Sequence, residues 1–317
     1  MQTIPLVYLL RNQSIFDKLI LTIGVIFISF SSVFVHIISA GPATIGVYRM
    51  AIGAVILLIV TLLRKERLFI VNRFTLSALL AGFFFCLDLV TWHQSILYVG
   101  PGLATILNSC QIFFLLLISF FLLKERVNKY QMIALAGILP GGLLLCLTDW
   151  LTLDPHYHWG VIIGLLSGLC YSGYIYALRY ANSQDSINTE SNIENNNKKP
   201  TNTLSILTTT TVSATLFLTL IAIFTGESLA LHPHANYAWV TLYALISQVI
   251  GWGLISYALP KINISVAAFI LILQPTLSFI WDVLFFSRPT PWFQWLGVII
   301  ILGAVFLANY KKTSSLN

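Results

Sequence analysis

Apolar residues along this chain fall into long uninterrupted runs, and the polar residues collect in short breaks between them. Ten runs lie near 19–39, 43–63, 74–97, 102–123, 130–148, 159–178, 204–225, 237–258, 264–286 and 292–310. A run of about 20 residues crosses roughly 30 Å of hydrocarbon at about 1.5 Å per residue. Lipid offers exposed peptide groups no partner, so each run is expected as a helix that satisfies its own backbone hydrogen bonds. Gly100-Pro101-Gly102 separates the third run from the fourth, and the charged cluster Lys124-Glu125-Arg126 closes the fourth.

The breaks divide the chain further. Residues 1–18 hold only a short apolar patch with no small-x-small cleavage site behind it, so an uncleaved cytoplasmic segment is expected there. Residues 149–158 form an external linker between five runs and five, and 311–317 a cytoplasmic tail. The one long polar stretch, 181–203, is expected as a disordered cytoplasmic loop because it has too little apolar area to offset its ordering entropy.

Composition agrees with this pattern: 57% of residues are hydrophobic, 9% are charged, and mean hydropathy is +0.86. Average soluble domains carry about 25% charged residues, so lipid is the expected solvent. The net charge of +6 reads as topology rather than as nucleic-acid binding. With the N-terminus inside, the inner breaks receive Arg11, Lys18, Arg64, Lys65, Arg67, Arg73, Lys124, Arg126, Lys129, Arg179, Lys198, Lys199, Lys261, Lys311 and Lys312. The outer breaks receive only Arg288, and Arg49 lies within a run. The expectation is a multi-pass protein of the cell inner (plasma) membrane with both termini cytoplasmic. Cys86, Cys110, Cys146 and Cys170 stand singly inside apolar runs, without the spacing of a metal site or a disulfide framework.

A shift of 163 positions aligns Ala104 with Ala267, Gln111 with Gln274 and Gln131 with Gln294, and lays runs three to five on runs eight to ten. An odd number of helices per copy makes the copies opposite in topology, an arrangement common among transporters. The expected fold is therefore an all-α integral membrane protein of ten transmembrane helices in two inverted five-helix repeats, 19–148 and 159–310.

Several stretches resemble the EamA-type branch of the drug/metabolite transporter superfamily. They are Pro42…Arg49-Met50, DLVTWHQSI at 88–96, ATILN at 104–108, the Glu125 cluster, Gln248…Gly251, ISYALP at 255–260 and LQP at 273–275. The resemblance covers essentially the whole chain and implies a five-plus-five inverted-repeat fold that moves small organic metabolites. Where that family carries a Gly-Glu pair after the ninth helix, this chain reads Ser287-Arg288.

Candidate chemistry sits in polar residues within the runs. Asp88 is the foremost, since a carboxylate at a helix centre costs roughly 2.5–3.5 kcal/mol to insert. At helical phase Asp88, Trp92 and Ser95 lie within about 60° of one another, whereas His93 is about 140° from Asp88. Asn108 in the fourth run, Tyr174 in the sixth, Gln248 and Trp252 in the eighth, and Gln274 and Trp281 in the ninth complete the expected substrate-binding set. Aromatic walls with a few amides suit an amphipathic metabolite, although each amide has helix-to-helix bonding as its alternative. Asp88, His93, Arg49 and Asp282 are candidates for proton coupling or ion pairing. Arg49 is expected to pair with Asp88 or Asp282, and Tyr257 to point away from the shared face. Gly160, Gly164, Gly168 and Ser172 form a small-residue ridge for close helix packing.

The leading reading is a secondary transporter by alternating access, exporting amino acids or related amphipathic solutes. Its expected partners are a small-molecule substrate and the lipid bilayer, without nucleic acid, with self-association left open. An intramembrane enzyme and a passive channel or scaffold subunit are the alternatives. The chain lacks HExxH, GxSxG and Walker motifs, so no enzyme, no cofactor and no metal is expected, the His156/His158 and His232/His234 pairs notwithstanding.

Overall fold

The computed structural model describes residues 6–65, 73–121, 155–193, 203–231, 235–262 and 270–309, together with Ala267 and scattered helical positions within 130–145. Every regular element among them is helical. In order these are α1 (Leu6–Ser29), α2 (Ser31–Ile37), α3 (Pro42–Leu63), α4 (Arg73–Val99), α5 (Pro101–Ser109), α6 (Gln111–Phe121), α7 (Pro155–Ile193) and α8 (Thr203–Thr225). There follow α9 (Ala235–Tyr243), a π-helical segment Ala244–Gly251, α10 (Trp252–Ala258), α11 (Leu273–Phe286) and α12 (Trp292–Asn309).

Among the described residues six stretches are long and apolar enough to cross a bilayer: Ile15–Ile37, Pro42–Leu63, Leu76–Val99, Pro155–Ala177, Leu204–Thr225 and Asn236–Ala258. Shorter apolar helices occupy Pro101–Leu115, Leu273–Phe286 and Trp292–Leu307. Leu63, Phe224, Leu284, Trp292 and Ile299 stand well exposed on these helices. An aqueous surface rarely carries so much contiguous apolar area, and lipid tails cover it at no cost. The protein is an integral, multi-pass membrane protein.

Proline at the first turn starts α3 and α5, where its missing N–H costs nothing. The carboxylate of Glu227 completes the start of α3 by accepting from Thr44 N at 2.9 Å and Ala43 N at 3.4 Å, next to the positive end of the helix dipole. The small-residue ridge lets α7 lie close to its neighbours. A Cβ on Gly164 would come within 2.7 Å of Ser95 Oγ, and one on Gly168 within 2.9 Å of Asn108 O. Ser172 Oγ then donates to Gln111 O at 2.7 Å.

The structure departs from the sequence expectation at the end of the sixth run. α7 continues to Ile193, thirteen residues into the polar stretch expected to be disordered from residue 181. A helix already nucleated in the membrane adds residues cheaply, and no Gly or Pro interrupts 181–193. Residues 194–202, the Lys124-Glu125-Arg126 cluster and about half of the fifth run lie outside the described residues.

Candidate functional site

Several helices are interrupted inside their apolar runs. The first turns at Phe30 between α1 and α2, the fourth at Cys110 between α5 and α6, and the eighth widens into the π segment. α11 begins after a turn at Ile272. Local hydroxyls compete with the helical ladder at these places: Ser29 Oγ donates to Ile26 O at 2.6 Å, and Ser109 Oγ to Thr105 O at 2.8 Å. Other helices take up the loosened backbone. Ser278 Oγ donates to Ser29 O at 3.0 Å, and Trp281 Nε1 donates to Ser29 Oγ at 2.9 Å while its ring stacks on Phe30 at 4.8 Å. Trp281 thus serves as a seam between α1 and α11, with its indole N–H already engaged.

Asp88 lies buried on α4, 5% exposed. Its Oδ1 accepts from Asn108 Nδ2 at 2.7 Å, and Asn108 also donates to Ser167 Oγ at 2.9 Å. The break after Ser109 turns the Asn108 amide towards α4 and α7, so three helices meet at this carboxylate. Oδ2 has no partner among the described residues. One turn away Phe85 stacks on Tyr174 at 4.8 Å and meets Trp252 edge-on at 6.3 Å. Asp88, Asn108, Tyr174 and Trp252 of the expected set therefore come together. Ser95 does not join them, because its hydroxyl pins α4 to α7 through Gly160 O at 2.8 Å.

Arg49 lies 3% exposed on α3 and does not pair with a carboxylate. Its Nη1 donates to Tyr243 Oη at 2.7 Å, and the guanidinium carbon stands 4.8 Å from the centre of that ring. His93 completes the group, with Nδ1 2.9 Å from Pro42 O and Nε2 3.2 Å from Tyr243 Oη. A carbonyl can only accept, so the ring proton sits on Nδ1 and Nε2 accepts from the tyrosine. Hydrogen bonds then run in one direction, from Arg49 to Tyr243 to His93 to the Pro42 carbonyl. As expected from phase, His93 faces away from Asp88. Tyr257 is 52% exposed, with Lys261 Nζ 3.2 Å from its ring centre.

Gln248 lies fully buried over Gly53, one turn along α3 from Arg49. Its Nε2 donates to Thr211 Oγ1 at 3.0 Å, and its Oε1 has no partner. Arg49 Nε and Trp92 Nε1 are likewise buried and unpartnered. Gln274 is half-buried on α11. Tyr243, Thr211 and Ser167 were missed by the sequence reading. At α-helical phase Tyr243 is about 140° from Gln248, but in a π segment, with i→i+5 bonding, residues five apart stack on one face.

The expected ion pair between Arg49 and an acid is corrected by the structure. Asp282 instead binds Arg288, Nη1 to Oδ2 at 3.1 Å, which is the one ion pair among the described residues. The same carboxylate oxygen accepts from Gly102 N at 3.0 Å, and Arg288 donates to Val99 O at 3.0 Å. Gly102 permits this clasp, because a Cβ there would come within 2.8 Å of Phe279 Cα. Ser287 takes a left-handed turn, φ 50°, that sends Arg288 back over α11. A cavity of about 240 Å³ bordered by Tyr98, Tyr157 and Pro289 lies beside the clasp.

No group of three or more His, Cys, Asp or Glu is placed to hold a metal ion among the described residues. His156 rests against Tyr98 with ring centres 5.4 Å apart. His232 and His234 lie outside the described residues.

The model of the EamA-like transporter family matches residues 18–148 and again residues 198–310. No curated protein matches the chain. Among 28 solved chains that do, one titled "Crystal structure of protein" is 14% identical, with a TM-score of 0.63. The similarity spans 93% of this chain and 97% of that one, and at this identity it concerns the fold alone.

Proposed function

Because the chain belongs to the EamA-like transporter family, we propose that it is a secondary transporter of small organic metabolites, exporting amino acids or related amphipathic solutes by alternating access. The carrying observation is that three of the buried polar atoms without partners among the described residues, Arg49 Nε, Trp92 Nε1 and Gln248 Oε1, lie in a bundle whose helices are interrupted. Interrupted helices and unsatisfied polar groups are where transporters hold solutes. Asp88, Trp92, Asn108, Tyr174, Gln248, Trp252 and Gln274 line the proposed path, with Phe85 and the tyrosine and tryptophan rings as its apolar wall.

The proposed architecture is ten helices in two inverted repeats. Two family matches in one chain support it, and so does the packing. α4 packs on α7 as α1 packs on the π segment and α10; α4 packs on α8 as α3 packs on the π segment; α5 packs on α7 as α11 packs on α1. α3 with α8 and α5 with α11 pair each helix with its own counterpart. The turns at Cys110 and Ile272 fall within one residue of the 163-residue shift.

In this reading the membrane is the cell inner membrane, and both termini are cytoplasmic, as the distribution of Lys and Arg requires. The clasp then closes the outer side. α5 is buried along Pro101–Leu107, while the described residues of α6, on the cytoplasmic side, are half-buried or exposed.

Purified protein in sealed proteoliposomes, given a panel of radiolabelled amino acids and related amphipathic solutes, tests the proposal. Saturable uptake or counterflow of at least one solute, absent from empty liposomes, is expected. Product formation in detergent without vesicle accumulation would replace the transporter with an enzyme.

A further inference from the structure

Arg49 is a permanent cation, since a guanidinium does not shed its proton in proteins. It is 3% exposed. Among the described residues its hydrogen-bond partner is the phenol of Tyr243, which is neutral in the donor role assigned to it above. Neither buried acid bonds to it: Asp282 is held by Arg288 and Gly102 N, and Asp88 accepts from Asn108 through Oδ1. A buried charge is retained only when something pairs with it for at least part of the working cycle. The orientation of the guanidinium says where that partner goes. Nη1 is taken by Tyr243, whereas neither Nε nor Nη2 has a partner among the described residues. The Nε–Nη2 edge is one of the two faces on which a guanidinium grips a carboxylate with two parallel hydrogen bonds.

We propose that Arg49 receives a carboxylate of the transported solute on its Nε–Nη2 edge, and that Tyr243 and His93 are positioning residues that hold this edge open. The inference rests on the transporter reading and names the class of its solute. Tyr243 fixes the guanidinium twice, by the 2.7 Å hydrogen bond and by its ring face. His93 fixes Tyr243 in turn, because its Nδ1–H is committed to Pro42 O and its Nε2 accepts a hydrogen bond from the phenol. A lysine would present a point charge without the fork, and a freely rotating arginine would snorkel or fold onto Asp88. The π segment is what brings Tyr243 onto the face of Arg49 and Gln248. The apolar wall of Phe85, Tyr174 and Trp252 would accommodate the rest of an amphipathic acid.

The test uses matched pairs that differ only in the acid: phenylalanine with phenylalaninamide, leucine with leucinamide, and 3-phenylpropionate with 3-phenylpropionamide. Each is measured as a competitor and as a counterflow solute in proteoliposomes of the full chain. The wild type is expected to prefer the acid in at least one pair by roughly ten- to a hundredfold, the range for a hydrogen bond to a charged group. Arg49→Gln is expected to bring that ratio to about one, and Arg49→Lys to retain part of it. Tyr243→Phe keeps the ring and loses the hydroxyl, so it is expected to reduce the ratio while the protein still inserts and folds. A merely structural Tyr243 would lower acid and amide transport together and leave the ratio intact. Amides handled as well as acids by the wild type in every pair, or an unchanged ratio in Tyr243→Phe and Arg49→Gln, overturns the proposal. Transport of other solutes in the wider panel would then still uphold the transporter reading, which falls only if nothing in that panel moves.

Discussion

Asp88 accepts one hydrogen bond from Asn108 and is not paired with Arg49, which changes what its neutralisation should do. Replacing Asp88 by Asn keeps an acceptor oxygen for the Asn108 amide and strands no arginine. Folding stability is expected to change by no more than about 1 kcal/mol. Asp88→Leu removes the acceptor, and a loss of about 1–3 kcal/mol is expected for the amide left facing it. Thermal unfolding in detergent separates the two. If Asp88 carries the coupling proton, Asp88→Asn is expected to abolish accumulation driven by a pH gradient while solute counterflow persists. Undiminished pH-driven accumulation in a well-folded Asp88→Asn would take coupling away from this residue. At this scale the sequence was informative where phase separates neighbouring letters: Asp88 bonds to Asn108, whereas His93 bonds to Pro42 and Tyr243. It failed at Arg49, because pairing an isolated cation with an isolated acid ignores Tyr243, whose position depends on a π segment that no letter announces.

Elements show the same division. Long apolar runs made the helices plain, since in lipid an uninterrupted run has one way to satisfy its backbone. Their interruptions were less visible, yet they fall at Ser29-Phe30-Ser31-Ser32 and Asn108-Ser109-Cys110, where serine hydroxyls turn back on the helix. The clasp between α11 and the α4–α5 turn is the clearest consequence. Arg288 donates to Val99 O and to the Asp282 carboxylate, which also accepts from Gly102 N. In the proposed orientation the clasp keeps the outer halves of the repeats shut. Arg288→Ala is expected to increase, several-fold, the labelling of a cysteine at Thr105 by a membrane-impermeant maleimide added outside, in a background without native cysteines. Thr105 is 3% exposed behind the clasp, so its basal labelling should be low. Equal labelling with and without Arg288 would mean that the backbone contact at Gly102 and Phe279, not the ion pair, holds the outer side closed.

Over the whole molecule α3 packs against α8 and α5 against α11, and the proposed architecture puts both pairs on the axis that relates its two halves. Opposite insertion of two similar halves follows from an odd helix count per half, so the topology and the repeat stand or fall together. The polar stretch 181–203 is the most sensitive place to test both. It follows the sixth proposed helix, and only an even number of crossings before it puts it on the side of the N-terminus. α7 extending to Ile193 carries part of this stretch well past the apolar segment that ends at Ala177. The sixteen further residues from 178 to Ile193, at about 1.5 Å each, would place the helix end clear of the hydrocarbon on whichever side it emerges. Cysteines placed at Ser186 and Asn195 are therefore expected to react with impermeant reagent in inside-out vesicles and not in intact cells. A cysteine at Ser228, beside the Glu227 cap of α3, is expected to react in intact cells. The two patterns must be opposite, because α8 alone lies between these positions. Labelling of Ser186 and Ser228 from the same side would remove α8 as a crossing, and with it the inverted relation between the halves.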